Sequence, residues 1–179
     1  KMENSFSFKD QFYKAIEDAT VPREETESEF ADDDFRWAET QRGDDSPTGK
    51  PRILINHKAF AKNPDTGPDY EKEMLIGEGL HLIKEIDPPR AERLYQSAVN
   101  DPAVLGWLKE SFVREQNRGE KRPFESWVKH SRLDQIIGGF LLGGENSSVP
   151  TMKAWPTARL PYGTDFKQEL ETLKTDLGL

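Results

Sequence analysis

The sequence has no cysteine in its 179 residues, which excludes disulfides and thiolate zinc centres and leaves histidine, carboxylates and carbonyls as the available metal ligands. Histidine is itself scarce, at His57, His81 and His130. No apolar run approaches the roughly 20 residues of a membrane span, and the opening residues "KMENSFSF" lack the apolar core of a signal peptide. The expectation is a soluble, non-secreted protein without a membrane partner. Internal repeats, a glycine-rich phosphate loop and a nucleophile elbow are missing as well, so the common signatures of nucleotide binding and of serine hydrolysis are absent.

What the chain does have is charge. Charged residues make up 32% and hydrophobic residues 34% of the sequence, and the mean hydropathy is −0.83. Such a chain is long enough for one domain with a real core and polar enough to suggest extended arms. The net charge of −8 is concentrated: residues 17–45 hold twelve acids against Arg23, Arg36 and Arg42. A field of that sign repels phosphates, so direct nucleic acid binding is not expected. The acidic segment reads either as a solvated linker or as an arm that docks on a basic partner through Phe30, Phe35 and Trp37.

Local signals place the elements. Ser7 can cap a first helix that carries Phe8, Phe12, Ile16 and Ala19 at helical spacing. Turn formers in "GDDSPTGKP" mark a boundary near residue 50, after which "RILIN" at Arg52–Asn56 reads as a strand. A helix is expected from Tyr70 to Ile86, stopped by Asp87-Pro88-Pro89, and another from Pro89 carrying Leu94, Tyr95 and Ala98. Further helices follow in "DPAVLGWLKESFVREQNRG" and "PFESWVKHSRLDQIIGGFLLGG", the latter weakened by Gly138 and Gly139. Residues 143–163 read as a long irregular connection. A final helix from Thr164 or Asp165 places Phe166, Leu170, Leu173 and Leu177 on one stripe, and the long connection favours a neighbouring chain as its docking surface over the chain's own core. The fold class is mainly α, α+β with a small sheet. The organisation is residues 1–50 as an N-terminal helix and acidic arm, 51–142 as a helical core domain, and 143–179 as a linker and C-terminal docking helix.

The chemical signal lies in "EMLIGEGLHLIKEIDPP", residues 73–89. Zinc peptidases of the H-E-x-x-H type set two histidines at i and i+4 so that both imidazoles reach one metal, with a glutamate between them to polarise the bound water. Here those five positions are Gly77, Glu78, Gly79, Leu80 and His81, in an apolar helix downstream of an aliphatic strand, and a later helix presents Asp134 in "RLDQIIGGF". Over residues 50–145 the chain resembles a minimal zincin, a metallopeptidase-like domain, with its first metal histidine replaced by glycine. The resemblance implies a zincin-like helical core, Glu78 at the place of the general base, and His81 and Asp134 at the places of metal ligands.

The glycine at position 77 removes one of the usual three protein ligands. His57 or His130 could repair the set, the latter from one turn before Asp134. The competing reading is that Gly77 and Gly79 permit close helix packing, with Glu78 and His81 paired as a polar contact. A helix glycine costs about 1 kcal/mol against alanine, so something should pack closely there. The function implied is a non-catalytic zincin-like scaffold or interaction protein. It contacts other chains through its terminal arms, with homo-oligomer or virion assembly among the modes. Small cysteine-free domains with docking arms and worn enzyme motifs also resemble bacteriophage virion or accessory proteins, which adds the virion to the cytoplasm as an expected location. No cofactor is expected on that reading. The alternative is a metallopeptidase-type hydrolase with an altered ligand set, which would need zinc.

Overall fold

A computed structural model describes residues 7–179. The chain is mostly helical with one small antiparallel sheet. Helix α1 (Phe8–Ala19) starts where Ser7 Oγ accepts the Asp10 amide at 3.2 Å, and it buries Phe12, Ile16 and Ala19. Helix α2 (Arg23–Glu29) precedes strand β1 (Ala38–Gln41), which pairs with β2 (Arg52–Ile55) so that Thr40 faces Ile53 and Ala38 faces Ile55. Beyond β2 come α3 (His57–Ala61) and α4 (Tyr70–Gly79). The expected Tyr70–Ile86 helix is present, but it tightens to a 3-10 turn at Leu80–Leu82 before resuming as α5 (Ile83–Ile86).

Asp87 then caps α6 (Pro88–Val99) by accepting the Arg90 amide, and Asp101 caps α7 (Pro102–Asn117) through the amides of Ala103 and Val104. Both caps stand directly before proline, whose missing N–H costs nothing at a helix start. Helix α8 (Phe124–Trp127) runs through a π-helical turn at Val128–Arg132 into α9 (Leu133–Leu142). Two 3-10 turns, Pro150–Met152 and Pro156–Ala158, lead to α10 (Thr164–Asp176). No helix among the described residues is long and apolar enough to cross a membrane.

One hydrophobic cluster draws on α1, β2, α4, α6, α7, α9 and α10 together. The acidic segment does not stand off from it as an arm. Phe30 is 3% exposed and packs with Val21 and Leu54. Trp37 lies half-buried with its ring 4.4 Å from that of Phe60. Only Phe35, at 88% exposure, remains of the three aromatic anchors proposed for a partner. Several of the acids that argued for a free arm have local counterions, with Arg52 on Glu29 at 3.1 Å, Lys58 on Asp32 at 2.9 Å and Arg36 on Asp34 at 2.8 Å. Strand pairing and buried aromatics therefore hold a segment whose composition alone argues for mobility.

The C-terminal stripe also turns inward. Phe166, Leu170, Leu173 and Leu177 are each at most 1% exposed, buried in the chain's own core rather than offered to a neighbour. An isolated helix of this length is marginal in water, whereas burying each such side chain contributes about 1.5–3 kcal/mol. The length of the connection before α10 misleads because it is not slack. Val149 and Met152 are buried, and the Ser148 amide donates to the Glu73 carboxylate at 2.9 Å, so the segment is spent running across α4 and α9. Gly139 makes room for it: a Cβ there would lie 1.9 Å from Thr157 Oγ1.

Candidate functional site

The zincin-like residues converge, but not in the way a metal centre requires. His81 sits in the 3-10 turn after α4, Asp134 in the first turn of α9, and Glu78 in the last turn of α4. His81 Nδ1 lies 2.6 Å from Asp134 Oδ2, and His81 Nε2 lies 3.8 Å from Glu78 Oε2. The two nitrogens of an imidazole point away from each other, so an ion on His81 could be reached by Glu78 or by Asp134 but not by both. Nor does an ion fit between His81 and Asp134. Zinc stands about 2.0–2.2 Å from each ligand, which at tetrahedral angles holds the two donors roughly 3 Å apart or more. The 2.6 Å separation is instead that of a charge-assisted hydrogen bond.

Glu78 is also held by β1, through the same carboxylate oxygen that faces His81. The Thr40 hydroxyl bonds the Glu78 carboxylate and lies 3.3 Å from the Glu78 carbonyl oxygen. Glu78, His81 and Asp134 expose only 16%, 25% and 14% of their side chains. Burial pushes the Glu78 carboxyl up, and the neighbouring charge of His81 and the Thr40 bond only partly offset that. Burial works in the opposite direction on His81, but the Asp134 hydrogen bond and the charges of Asp134 and Glu78 outweigh it and raise the imidazole. The cluster thus ties β1, α4 and α9 together through polar contacts.

The other expected ligands are elsewhere. A side chain at position 77 would start among Leu142 Cδ1 at 3.7 Å and Met152 Cε at 3.9 Å, so a histidine there would begin in an apolar crevice. His57 is buried with Nδ1 3.2 Å from the Tyr70 hydroxyl, and burial depresses its basicity. His130 lies in the π turn and is taken by Arg42, whose guanidinium donates to its Nδ1 at 2.8 Å and to its carbonyl at 3.1 Å. Among the described residues no group of three His, Asp or Glu is arranged to hold a metal ion. The close packing foreseen for the glycines is found at Gly79, where a Cβ would lie 2.6 Å from Ile16 Cδ1 and Cγ1, and not at Gly77.

Beside the cluster lies a cavity of about 490 Å³ whose lining includes His81 and Asp134, the basic residues Arg42, Lys129 and His130, and the apolar Leu94, Leu133 and Ile137. Both interrupted helices open onto it, the first through the 3-10 residues Leu80 and His81 and the second through the π residues Lys129 and His130. Irregular turns of this kind free backbone and re-aim side chains, and π turns recur at functional sites. Thr40 and Arg42 escaped the sequence reading because β1 did. Strand alternation puts positions 38 and 40 on one face and Arg42 follows directly after the strand, and that placement is readable only once "AETQ" is known to pair with "RILI". Compared with known proteins, the chain matches no protein family, no curated protein and no solved structure.

Proposed function

We propose that this chain is a non-catalytic interaction or scaffold domain, in which Glu78, His81 and Asp134 form a structural clasp instead of a metal centre. The observation that carries this reading is the placement of the two carboxylates at opposite nitrogens of one imidazole, Asp134 at 2.6 Å and Glu78 at 3.8 Å, with the Thr40 hydroxyl bonded to the same Glu78 oxygen that faces His81. A general base must reach a water on a metal held by other ligands, and here the would-be ligand His81 is bonded to Asp134 and the would-be base Glu78 to Thr40. Contacts with other chains fall to the folded surface, where Phe35 protrudes beside Asp32 and Asp33. A bacteriophage origin and a place in a virion, with or without self-assembly, belong to the same proposal and rest on the general resemblance.

The alternative, a hydrolase with an altered ligand set, draws support from the raised carboxyl of Glu78 near a wall of the cavity. Incubation with unfolded casein, with and without added zinc, separates the two. The clasp reading gives no cleavage from either the parent chain or Glu78→Gln, with a lowered thermal midpoint for the variant. Zinc-dependent cleavage that Glu78→Gln abolishes while leaving the fold intact would establish the hydrolase.

A further inference from the structure

The cavity has a chemistry of its own that the clasp does not use. Its size falls in the ordinary range for small-molecule sites, about 300–1,000 Å³. Its lining includes the aliphatic side chains of Leu80, Ile83, Leu94, Leu133 and Ile137. Arg42 lines it too, half-buried, donating to His130 and forming no ion pair among the described residues, whereas the other cation of the lining without an ion pair, Lys84, is exposed. A half-buried guanidinium without a carboxylate is uncommon, because desolvating a cation is costly unless an anion faces it. Of the carboxylates in the lining, Asp134 is bound to His81 at 2.6 Å and Glu92 faces Lys129 at 3.5 Å, while Asp44 and Glu85 form no ion pair with Arg42. Lys129 is engaged with Glu125 at 2.9 Å and with Glu92 at 3.5 Å, so it adds no free charge.

His130 completes the arrangement. Because its Nδ1 accepts from Arg42, its ring proton sits on Nε2, which makes His130 a neutral donor beside the guanidinium. A bidentate-capable cation and an N–H donor in a cavity lined with aliphatic side chains match an anionic head on a hydrocarbon body. We propose that this cavity binds a small amphipathic organic anion, with its head at Arg42 and His130 and its apolar part against Leu94, Leu133 and Ile137. The head chemistry is shared by a carboxylate and a phosphate monoester. This inference goes beyond the non-catalytic reading and does not depend on it, since binding is measured without turnover.

The test is calorimetric titration of the full chain with octanoate and with octyl phosphate, each below its micelle-forming concentration, and with 1-octanol as the uncharged control. Saturable one-site binding is expected for at least one anion, about tenfold or more tighter than for octanol, and whichever anion binds more tightly identifies the head. Arg42→Gln should weaken that anion by about tenfold or more while leaving octanol unchanged. Ala91→Phe, which fills the cavity and keeps Arg42, should abolish binding of both kinds, and it decides the matter if Arg42→Gln does not fold. Absence of saturable binding, equal affinity for octanol, or undiminished binding by Ala91→Phe would each overturn the proposal.

Discussion

Two glycines one residue apart on α4 should respond to alanine with opposite signs. At Gly77 an added methyl meets only Leu142 Cδ1 at 3.7 Å and Met152 Cε at 3.9 Å, which is ordinary van der Waals contact. Gly77→Ala should therefore gain the helix preference of alanine, up to about 1 kcal/mol. At Gly79 the same methyl would sit 2.6 Å from both Cδ1 and Cγ1 of Ile16 and 3.0 Å from Phe12 Cζ. Ile16 is 6% exposed and Phe12 0%, so neither has room to retreat. Overpacking of a tight core costs about 1–3 kcal/mol, against a helix gain of about 1 kcal/mol, and Gly79→Ala should lose up to about 2 kcal/mol net. For a domain of this size each kcal/mol moves the thermal midpoint by about 2–4 °C. Chemical and thermal denaturation of both variants, together with a double-mutant cycle against Ile16→Ala, measures the effect. The double variant should be less destabilised than the sum of the singles by about 0.5–3 kcal/mol, because the truncated Ile16 makes room for the new methyl. A destabilising Gly77→Ala would refute the space seen beside Leu142 and Met152, and a neutral Gly79→Ala with no coupling to Ile16 would refute the packing of α1 on α4.

Other outcomes follow from burial and charge. Leu170→Ala, at a side chain with 0% exposure, should cost about 2–5 kcal/mol in urea unfolding of the dilute monomer; a loss seen only in assembly would return α10 to a neighbouring chain. Phe30→Ala should cost about 3–5 kcal/mol, whereas Phe35→Ser should stay within about 0.5 kcal/mol, as read from the same unfolding curves. Glu78 and His81 both bind a proton more tightly folded than unfolded, so each contributes stability that is complete below its unfolded pKa and is lost as pH rises through the folded one. The windows open above 4.5 for Glu78 and above 6.5 for His81. The stability advantage of the parent chain over Glu78→Gln should therefore shrink as pH rises in a denaturation series from about pH 4 to about pH 9. The depressed His57 and His130 lose stability in the other direction, below 6.5, and cancel in that difference.

The parts of the fold that the sequence announces are those with local causes. Ser7 and Asp101 cap their own helices, Pro88 and Pro102 open theirs, and the steps Phe12–Ile16–Ala19 and Phe166–Leu170–Leu173–Leu177 draw apolar stripes. Where the stripes go is a tertiary matter, and the inward course of α10 depends on Val149, Met152 and Ser148 being packed along the way. The sheet is half legible. "RILI" has strand composition, while "AETQ" carries one β-branched residue and becomes a strand only by pairing with it. The same asymmetry governs the site. Glu78, His81 and Asp134 stand out because their spacing resembles a known motif, and they do meet. Their mutual geometry follows from the 3-10 turn at Leu80–Leu82 and the π turn at Val128–Arg132, which depart from the regular helix that the spacing presupposes. Thr40, Arg42 and the role of His130 depend on β1 lying beside those turns.

The central claim is that His81 is held between two carboxylates as a structural contact and is not a metal ligand. The most direct measurement is a long-range ¹H–¹⁵N correlation spectrum of the imidazole nitrogens, with the His81 signals assigned by comparison with His81→Gln, recorded before and after one equivalent of zinc. A protonated Nδ1 is expected, from the bond to Asp134, with His81 signals that do not move on addition of zinc. An unprotonated Nδ1 in the zinc-free spectrum, or a ring nitrogen that takes up zinc at one equivalent, would contradict the claim.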